Sequence, residues 1–211
     1  MRQHNRCPVN APMQQFTNAN PQSIMTNTSS SKHELLPAMV VAALLVTSSA
    51  AQVRRLRPPD VRYVPTPQNV VEAMLDLAHV TPADVVYDLG SGDGRIPITA
   101  AQKYGARGVG VEIDSRLIVE AIANAALAHV ADRVWFLNQD LFETDISPAT
   151  VVTLFLLPRL NQQLIPTLER SLRPGTRIVS HQFDMGPAWP PEQSQDVNGL
   201  MIYLWTMKTM K

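Results

Sequence analysis

Three glycines at alternate positions follow a short apolar run and alternate with polar residues. The apolar run occupies residues 85–87, and the residues after it are Asp88, Leu89, Gly90, Ser91, Gly92, Asp93 and Gly94. Glycine adopts positive φ readily and lets a ligand approach the backbone, so the pattern predicts a bare turn between a buried strand and a helix. The spacing differs from the G-x-G-x-x-G of dinucleotide sites, because the third glycine comes one position early and Arg95 follows it.

The two carboxylates of this turn restrict the type of ligand. Asp88 and Asp93 would repel a phosphate group but attract a cation. S-adenosylmethionine (SAM) carries an ammonium group and a sulfonium, both of which carboxylates stabilise. We therefore predict that the turn binds SAM, and the residues predicted to do so are Asp88, Gly90, Ser91, Gly92 and Gly94. The alternative is a tight strand-to-helix turn that binds no ligand.

Two further acidic residues stand at the ends of the next two predicted strands. Glu112 ends the predicted strand 106–112, roughly 20 residues beyond the turn, where α/β folds hold ribose hydroxyls. Asp140 follows the strand 133–138, where its carboxylate is placed to accept from an adenine amino group. Alone, an acid such as Asp140 after a strand is more often a helix cap or a solvated loop residue. Acids at the ends of three consecutive strands favour a shared site.

The segment from Asp88 to Gly94, together with Glu112 and Asp140, resembles the first three motifs of the class I, seven-strand SAM-dependent methyltransferases. A narrower resemblance links residues 63–67, 88–96, 174–181 and 189–190 to mitochondrial protein-lysine methyltransferases and their bacterial relatives. The mitochondrial members methylate lysines of the ATP synthase c subunit and of the adenine nucleotide translocase. The resemblance therefore implies methyl transfer from SAM to a lysine of an acceptor protein, and membrane proteins are among the candidate acceptors.

From residue 61 onward, predicted helices and strands alternate as in α/β proteins. Helices are predicted at 67–79, 96–103, 115–129 and 158–172, and strands at 84–89, 106–112, 133–138, 151–156 and 176–180. Asn198 and Gly199, between the runs 195–197 and 200–206, predict a hairpin ending. We expect a Rossmann-like α/β fold with a seven-stranded, mostly parallel sheet, a C-terminal antiparallel hairpin strand and helices on both faces.

Catalytic residues are less clearly indicated. His181 directly follows the fifth predicted strand and is a weak candidate for a proton acceptor, although a structural histidine is the simpler interpretation. Tyr63 is a second weak candidate. Neighbouring prolines restrict Tyr63 and Thr66 and favour their closing over the cofactor pocket, and a plain edge segment explains the same prolines. Residues 156–159 contain no side-chain acceptor for a nucleobase amine, which argues against nucleic acid as the methyl acceptor.

The chain before residue 61 divides into three predicted segments. Residues 1–34 are rich in Asn, Gln, Ser and Pro and predict a disordered leader, with Met25 as an alternative start. Residues 35–51 form a signal-like or anchor segment, with cleavage predicted after Ala51. Residues 52–60 form a linker to a methyltransferase domain at 61–211. A retained membrane anchor is the alternative to cleavage, and basic residues 54, 55 and 57 would then favour a cytoplasmic location for the chain that follows it.

The signal-like segment and the cofactor favour different locations. The segment predicts export or membrane association, whereas SAM is made in the cytosol and favours cytoplasmic access. Localisation therefore stays open at the level of sequence.

Composition limits the remaining partners. The chain has 18 basic and 18 acidic side chains, of which 15 and 17 follow residue 51, so nothing attracts a nucleic-acid backbone. Cys7 is the single cysteine, and no Cys and His spacing predicts a metal site. Two alternatives to lysine methylation stay open. One is a methyltransferase of the same fold acting on a small molecule, and the other is a noncatalytic, membrane-associated SAM-binding protein.

Overall fold

The computed structural model describes residues 56–208, so the predictions for the leader and the signal-like segment lie outside the described residues. The described residues form one seven-stranded sheet in the order β3-β2-β1-β4-β5-β7-β6. Its strands are β1 Val85–Leu89, β2 Arg107–Glu112, β3 Val134–Asn138, β4 Val151–Leu154, β5 Arg177–His181, β6 Gln193–Val197 and β7 Leu200–Thr206. Strands β1 to β5 pair in parallel, and β7 runs antiparallel to both β5 and β6. The predicted fold class is confirmed.

The described residues also contain four helices, of which the first precedes β1: α1 Gln68–Leu77, α2 Arg95–Tyr104, α3 Ser115–Leu127 and α4 Pro158–Ser171. Their ends follow local signals. Asp114 caps α3 by accepting a hydrogen bond from the backbone N–H of Arg116 at 2.9 Å. Gly105 ends α2 in the left-handed region at φ 69°. Within residues 56–208, no helix has the length and apolar character needed to cross a membrane.

Asn198 and Gly199 form the tight turn between β6 and β7. Their φ angles are 56° and 85°, both positive as a two-residue hairpin turn of this kind requires. Asp196 accepts a hydrogen bond from the backbone N–H of Gly199 at 2.8 Å and fixes the turn. The hairpin places β7 beside β5, which gives the sheet its reversed last strands.

Apolar side chains cover both faces of the sheet. Tyr87 and Leu89 of β1 join the core beneath α4, whereas Val86 joins the core beneath α1 and α2. Val151 and Val152 of β4 are both fully buried, one on each side. A continuous apolar strand is the expected result where helices protect both faces.

The parallel register brings the carboxyl ends of three strands together. Leu89 at the end of β1 pairs with Val111 of β2, and Glu112 at the end of β2 pairs with Asn138 of β3. Loops leaving these strands therefore start at one edge of the sheet, which is where open α/β folds bind ligands.

Candidate active site

A cavity of about 490 Å³ lies at this carboxyl edge. The strand-end acids Asp88, Glu112 and Asp140 all line it, as do Gly90, Ser91 and Thr66. Residues 59–64 cover one side of it, and Phe155, Leu156 and Leu160 form an apolar wall after β4. Six of the predicted cofactor-site residues are thus brought together around one space.

The glycine turn is held by the end of β2. The backbone N–H groups of Gly90 and Ser91 donate to the carbonyl of Val111 at 2.8 and 3.0 Å. Gly90 and Gly92 have φ of 88° and 53°, in the left-handed region that glycine enters without strain. Ser91 is buried, and its Oγ has no hydrogen-bond partner within the described residues. A buried hydroxyl without a partner beside a cavity fits a ligand that supplies one.

The other two glycines of the motif serve the packing around the turn. A Cβ on Gly92 would lie 2.2 Å from Cε2 of Tyr63, so the tyrosine ring covers this glycine. A Cβ on Gly94 would lie 2.5 Å from Cζ of Phe136 and 2.9 Å from Cβ of Ala121. Gly92 therefore supports the wall made by Tyr63, and Gly94 permits close packing of α2 on β3 and α3.

Glu112 is buried and connects the turn to the start of α3. Its Oε2 accepts from the backbone N–H of Gly92 at 3.0 Å, and its Oε1 accepts from that of Asp114 at 2.9 Å. A carboxylate has about four lone-pair positions. Two acceptor positions therefore remain for a ligand, so the carboxylate is suited to hold a pair of ribose hydroxyls.

Asp88 is the most deeply buried acid of the cavity, with 3% of its surface exposed. Burial raises its pKa to about 7, a hydrogen bond donated by Thr153 at 2.7 Å opposes the rise, and the charges of Glu112 and Asp93 add to it. A cation in the cavity would favour the ionised form of this carboxyl. The site therefore favours a positively charged ligand over an anionic one.

Asp93 is paired within the protein. Arg95 donates to both of its carboxylate oxygens, from Nε at 2.9 Å and from Nη2 at 2.6 Å. Burial opposes ionisation of Asp93, but the bonds from Arg95 outweigh it and lower its pKa. Arg95 also donates from Nη1 to the carbonyl of Thr66 at 2.9 Å and from Nη2 to the hydroxyl of Tyr63 at 3.4 Å. One guanidinium thus ties the glycine turn to the segment that covers the cavity.

Asp140 lies at the far end of the cavity and is approached by an arginine from the segment before residue 61. Arg57 donates from Nε to Oδ2 at 2.5 Å and from Nη2 to Oδ1 at 3.1 Å. The backbone N–H of Phe142 also donates to Oδ1, at 3.0 Å, and the guanidinium lies 5.5 Å from the centroid of the Phe142 ring. Asp140 therefore lines the cavity as part of a hydrogen-bonded cluster.

The two weak catalytic candidates occupy different positions. Tyr63 lines the cavity, and burial together with the charge of Asp93 raises its pKa to about 12. His181 is only 2% exposed and lies behind the cavity wall, with Nδ1 3.2 Å from Oγ1 of Thr66 and its ring centroid 4.0 Å from that of Phe155. Its Nε2 is buried and has no hydrogen-bond partner within the described residues, and burial lowers its pKa. His181 thus contacts the wall rather than the cavity.

Arg57 and Arg95, two of the basic side chains that line the cavity, were not predicted as site residues. Arg95 was seen only as the residue after the third glycine, and Arg57 only as part of a basic cluster beside the apolar segment. Arg95 carried a usable signal, since an arginine two residues after an aspartate at a helix start can pair with it. Arg57 carried none, because its partner Asp140 is 83 residues away in the chain.

Comparison with known proteins places the site in a family. A family model of the ANTKMT methyltransferase domain matches residues 88–193. A protein-lysine N-methyltransferase of Saccharolobus islandicus is 51% identical over 136 residues, which are 64% of this chain and 84% of that protein. The adenine nucleotide translocase lysine N-methyltransferase of Mus musculus is 36% identical over 132 residues, 62% of this chain and 56% of the mouse protein.

A solved structure agrees with the fold. It is described as an RNA methyltransferase from Salinibacter ruber in complex with S-adenosyl-L-homocysteine, is 57% identical and superposes with a TM-score of 0.69. The match covers 70% of this chain and 96% of that chain.

The strand order, the glycine turn and the strand-end acids define the class: this is a SAM-dependent methyltransferase with the seven-strand fold. Within that class, the chain belongs to the ANTKMT methyltransferase domain family. The residues of the cavity suit the cofactor of that class, since they offer buried carboxylates, an unpartnered serine hydroxyl and a glycine turn.

Proposed function

We propose that this protein transfers a methyl group from SAM to the ε-amine of a lysine in an acceptor protein. The observation that carries the proposal is the convergence of Asp88, Glu112 and Asp140 on one cavity with an apolar wall after β4. The names of the relatives support a lysine acceptor, since two of them are described as protein-lysine and adenine nucleotide translocase lysine methyltransferases.

The cofactor-binding residues are assigned by what each offers. Glu112 would accept from the ribose hydroxyls, Asp140 from the adenine amino group, and Asp88 would stabilise the positive end of the cofactor. Gly90 and Ser91 would border it through backbone and hydroxyl. When bound, SAM supplies an electrophilic methyl group, so the protein needs chiefly to orient the acceptor and to exclude water.

The acceptor lysine must lose its proton before it can attack. Its ordinary pKa is about 10.4, and an apolar environment lowers it by disfavouring the charged form. Phe155, Leu156 and Leu160 provide such a wall, and Val64 extends it to the surface with 58% of its area exposed. Tyr63 is a phenol that is protonated at neutral pH, and the rise of its pKa to about 12 makes it a still poorer proton acceptor. Desolvation of the lysine, with proton loss to solvent, is therefore the mechanism these residues support.

RNA is the second acceptor class to be tested. The Salinibacter ruber protein, 57% identical, is described as an RNA methyltransferase. Against RNA, residues 156–159 contain no side-chain acceptor for a nucleobase amine, and acidic residues slightly outnumber basic ones after residue 51.

The deciding experiment offers both acceptors at once. The purified full chain is incubated with SAM carrying a labelled methyl group and with a cell extract, and samples are then treated with either protease or ribonuclease. If protease releases the label from the macromolecular fraction and ribonuclease does not, the result supports lysine methylation. Label lost only to ribonuclease supports RNA, label already present in the low-mass fraction supports a small-molecule acceptor, and SAM binding without transfer supports a noncatalytic role.

Membrane association and localisation belong to the same proposal. We infer that the apolar segment 35–51 directs the chain to a membrane, and that the catalytic domain needs access to cytosolic SAM. The support is the composition of that segment alone. Fractionation of cells expressing the full chain, with mass spectrometry of its N-terminus, tests both retention at the membrane and cleavage after Ala51.

A further inference from the structure

The segment 63–66, named the strap below, crosses the mouth of the cavity and is held from two sides. Tyr63 and Val64 are at least 36% exposed, whereas Thr66 is only 4% exposed. The strap contains Pro65, and Pro67 follows it, so the φ angles of these residues are restricted. Proline has no backbone N–H, so the segment has few donors for pairing with a strand. Its position therefore depends on contacts made by side chains of other elements.

Arg95 provides the first of these contacts. Its planar guanidinium is oriented by two hydrogen bonds to Asp93, and the same group donates to the carbonyl of Thr66 and the hydroxyl of Tyr63. Because the guanidinium is rigid and planar, its bonds to Asp93 also fix the positions of the Thr66 carbonyl and the Tyr63 hydroxyl. The position of the strap is thereby fixed relative to the glycine turn.

His181 provides the second contact, to a different group of Thr66. Its Nδ1 lies within hydrogen-bond distance of the hydroxyl of Thr66, and its ring lies against Phe155. Both Thr66 and Phe155 line the cavity, whereas His181 is buried behind them. Thr66 is thus fixed at its carbonyl by Arg95 and at its hydroxyl by His181.

We propose that Arg95 and His181 are positioning residues that hold the strap, through Thr66, at the distance from the glycine turn that methyl transfer requires. The proposal rests on the proposed function, because it concerns alignment of the acceptor with the bound cofactor. Misplacement of a reacting group by about 1 Å lowers rates by about 100-fold, so loss of either anchor is expected to reduce kcat more than cofactor affinity.

The first test needs no acceptor. Trypsin cleavage after Arg62 is timed by mass spectrometry on the full chain, since the exposed bond before Tyr63 becomes a substrate when the strap loosens. Arg95→Lys and His181→Phe are expected to speed this cleavage by about 5-fold or more at unchanged unfolding midpoint. Unchanged cleavage in both variants would overturn the proposal.

Arg116 offers a matched control for Arg95. It stands two residues after Asp114 at the start of α3 and pairs with both carboxylate oxygens, as Arg95 does with Asp93. It makes no recorded hydrogen bond to the strap within the described residues. Arg116→Lys is therefore expected to leave cleavage after Arg62 at the wild-type rate, and a rise equal to that of Arg95→Lys would contradict the argument.

The second test separates positioning from proton transfer. His181→Phe keeps a ring against Phe155 but removes the bond to Thr66, and Thr66→Val removes the same bond from the other side. Each is expected to lower kcat by about 10- to 100-fold with SAM Kd changed by less than about 3-fold, and the double variant should be no slower than the slower single variant. Thr66→Ser should restore most of the rate.

The pH profile completes this test. A positioning role predicts that the acidic limb of kcat is unchanged in His181→Phe, and loss of that limb would show that His181 accepts the proton instead. If the wild-type chain methylates no lysine acceptor, the proposed function fails, while the trypsin experiment still decides whether the two residues hold the strap.

Discussion

Replacing Asp88 by Asn is expected to stabilise the folded protein at high pH and to lower its affinity for SAM. Burial raises the pKa of this carboxyl from 3.8 to about 7. The folded state therefore binds the proton more tightly than the unfolded chain does, and stability falls as pH rises between these two values. At about 1.4 kcal/mol per pH unit, the ionised carboxylate destabilises the fold by about 4 kcal/mol above pH 7.

The loss in free energy of unfolding caused by Asp88 is measured between two pH values on either side of its pKa. Between pH 5 and pH 8 the wild-type protein should lose about 3 kcal/mol through this group, whereas the Asn variant, which keeps an acceptor for Thr153, should lose none of it. Urea unfolding of the full chain at both values measures the difference. Asp132→Asn, the same substitution at an exposed position, is the control for the change of side chain itself. A variant whose stability difference from wild type is the same at pH 5 and pH 8 would refute the reasoning.

The same substitution that stabilises the fold is expected to weaken SAM binding. Asp88→Asn removes a carboxylate that faces the cavity, so SAM affinity should fall about 10- to 100-fold, as expected for a lost charge-assisted hydrogen bond. Calorimetric titration of SAM into the full chain at pH 8, with NAD and ATP as comparison ligands, measures this. A stabilised variant with undiminished SAM affinity would mean that Asp88 has no part in binding the cofactor.

Three further outcomes follow from individual contacts. Glu112→Ala should weaken SAM binding by about 1 to 3 kcal/mol, measured by calorimetry, because it removes the ribose acceptor and the partner of the Gly92 N–H. Gly92→Ala should destabilise the fold more than Gly175→Ala does in urea unfolding, since both glycines have positive φ but only the former has the Tyr63 ring within 4 Å; equal losses would contradict this. Burial lowers the pKa of His181, so the contribution of its neutral form to stability is present above about pH 6.5 and is lost as pH falls. Between pH 7 and pH 5.5, His181→Asn should therefore lose less free energy of unfolding than the wild-type protein does. An equal loss in both proteins would contradict the burial argument.

Most of the fold was predictable because its signals are local. The capping of α3 by Asp114, the end of α2 at Gly105 and the turn at Asn198 each depend on a few neighbouring residues. The ends of elements moved by one or two positions, as for the first helix, predicted at 67–79 and found at Gln68–Leu77. Continuous burial of β4 likewise follows from an uninterrupted apolar run.

The strand-end acids were predictable for a related reason. Parallel strands share one carboxyl edge, so three acids that each follow a strand converge once the strand order is known. Two long-range contacts of the site were not predictable, because Arg57 meets Asp140 and Arg95 meets Thr66 across long stretches of chain. The path of a proline-rich segment over a cavity is set by those contacts and leaves no periodic signal in the sequence.

The position of His181 shows the same limit. Its place directly after the predicted strand 176–180 suggested access to the cavity, but it is the last residue of β5, and alternate residues near a strand end point to opposite sides. The structure places the imidazole behind Thr66 and Phe155, where it supports the wall. Whether a residue at the sheet edge faces a ligand or its neighbours depends on the loops above it.

The most direct test of lysine methylation uses SAM with a trideuterated methyl group. The full chain is incubated with a peptide library containing lysine or arginine at the central position, and the modified side chain is identified by tandem mass spectrometry. Lysine methylation from SAM bound in this cavity predicts trideuteromethyl groups on lysine ε-amines, strongly reduced in Glu112→Ala. Label on another atom type, or equal label with wild type and Glu112→Ala, would contradict it.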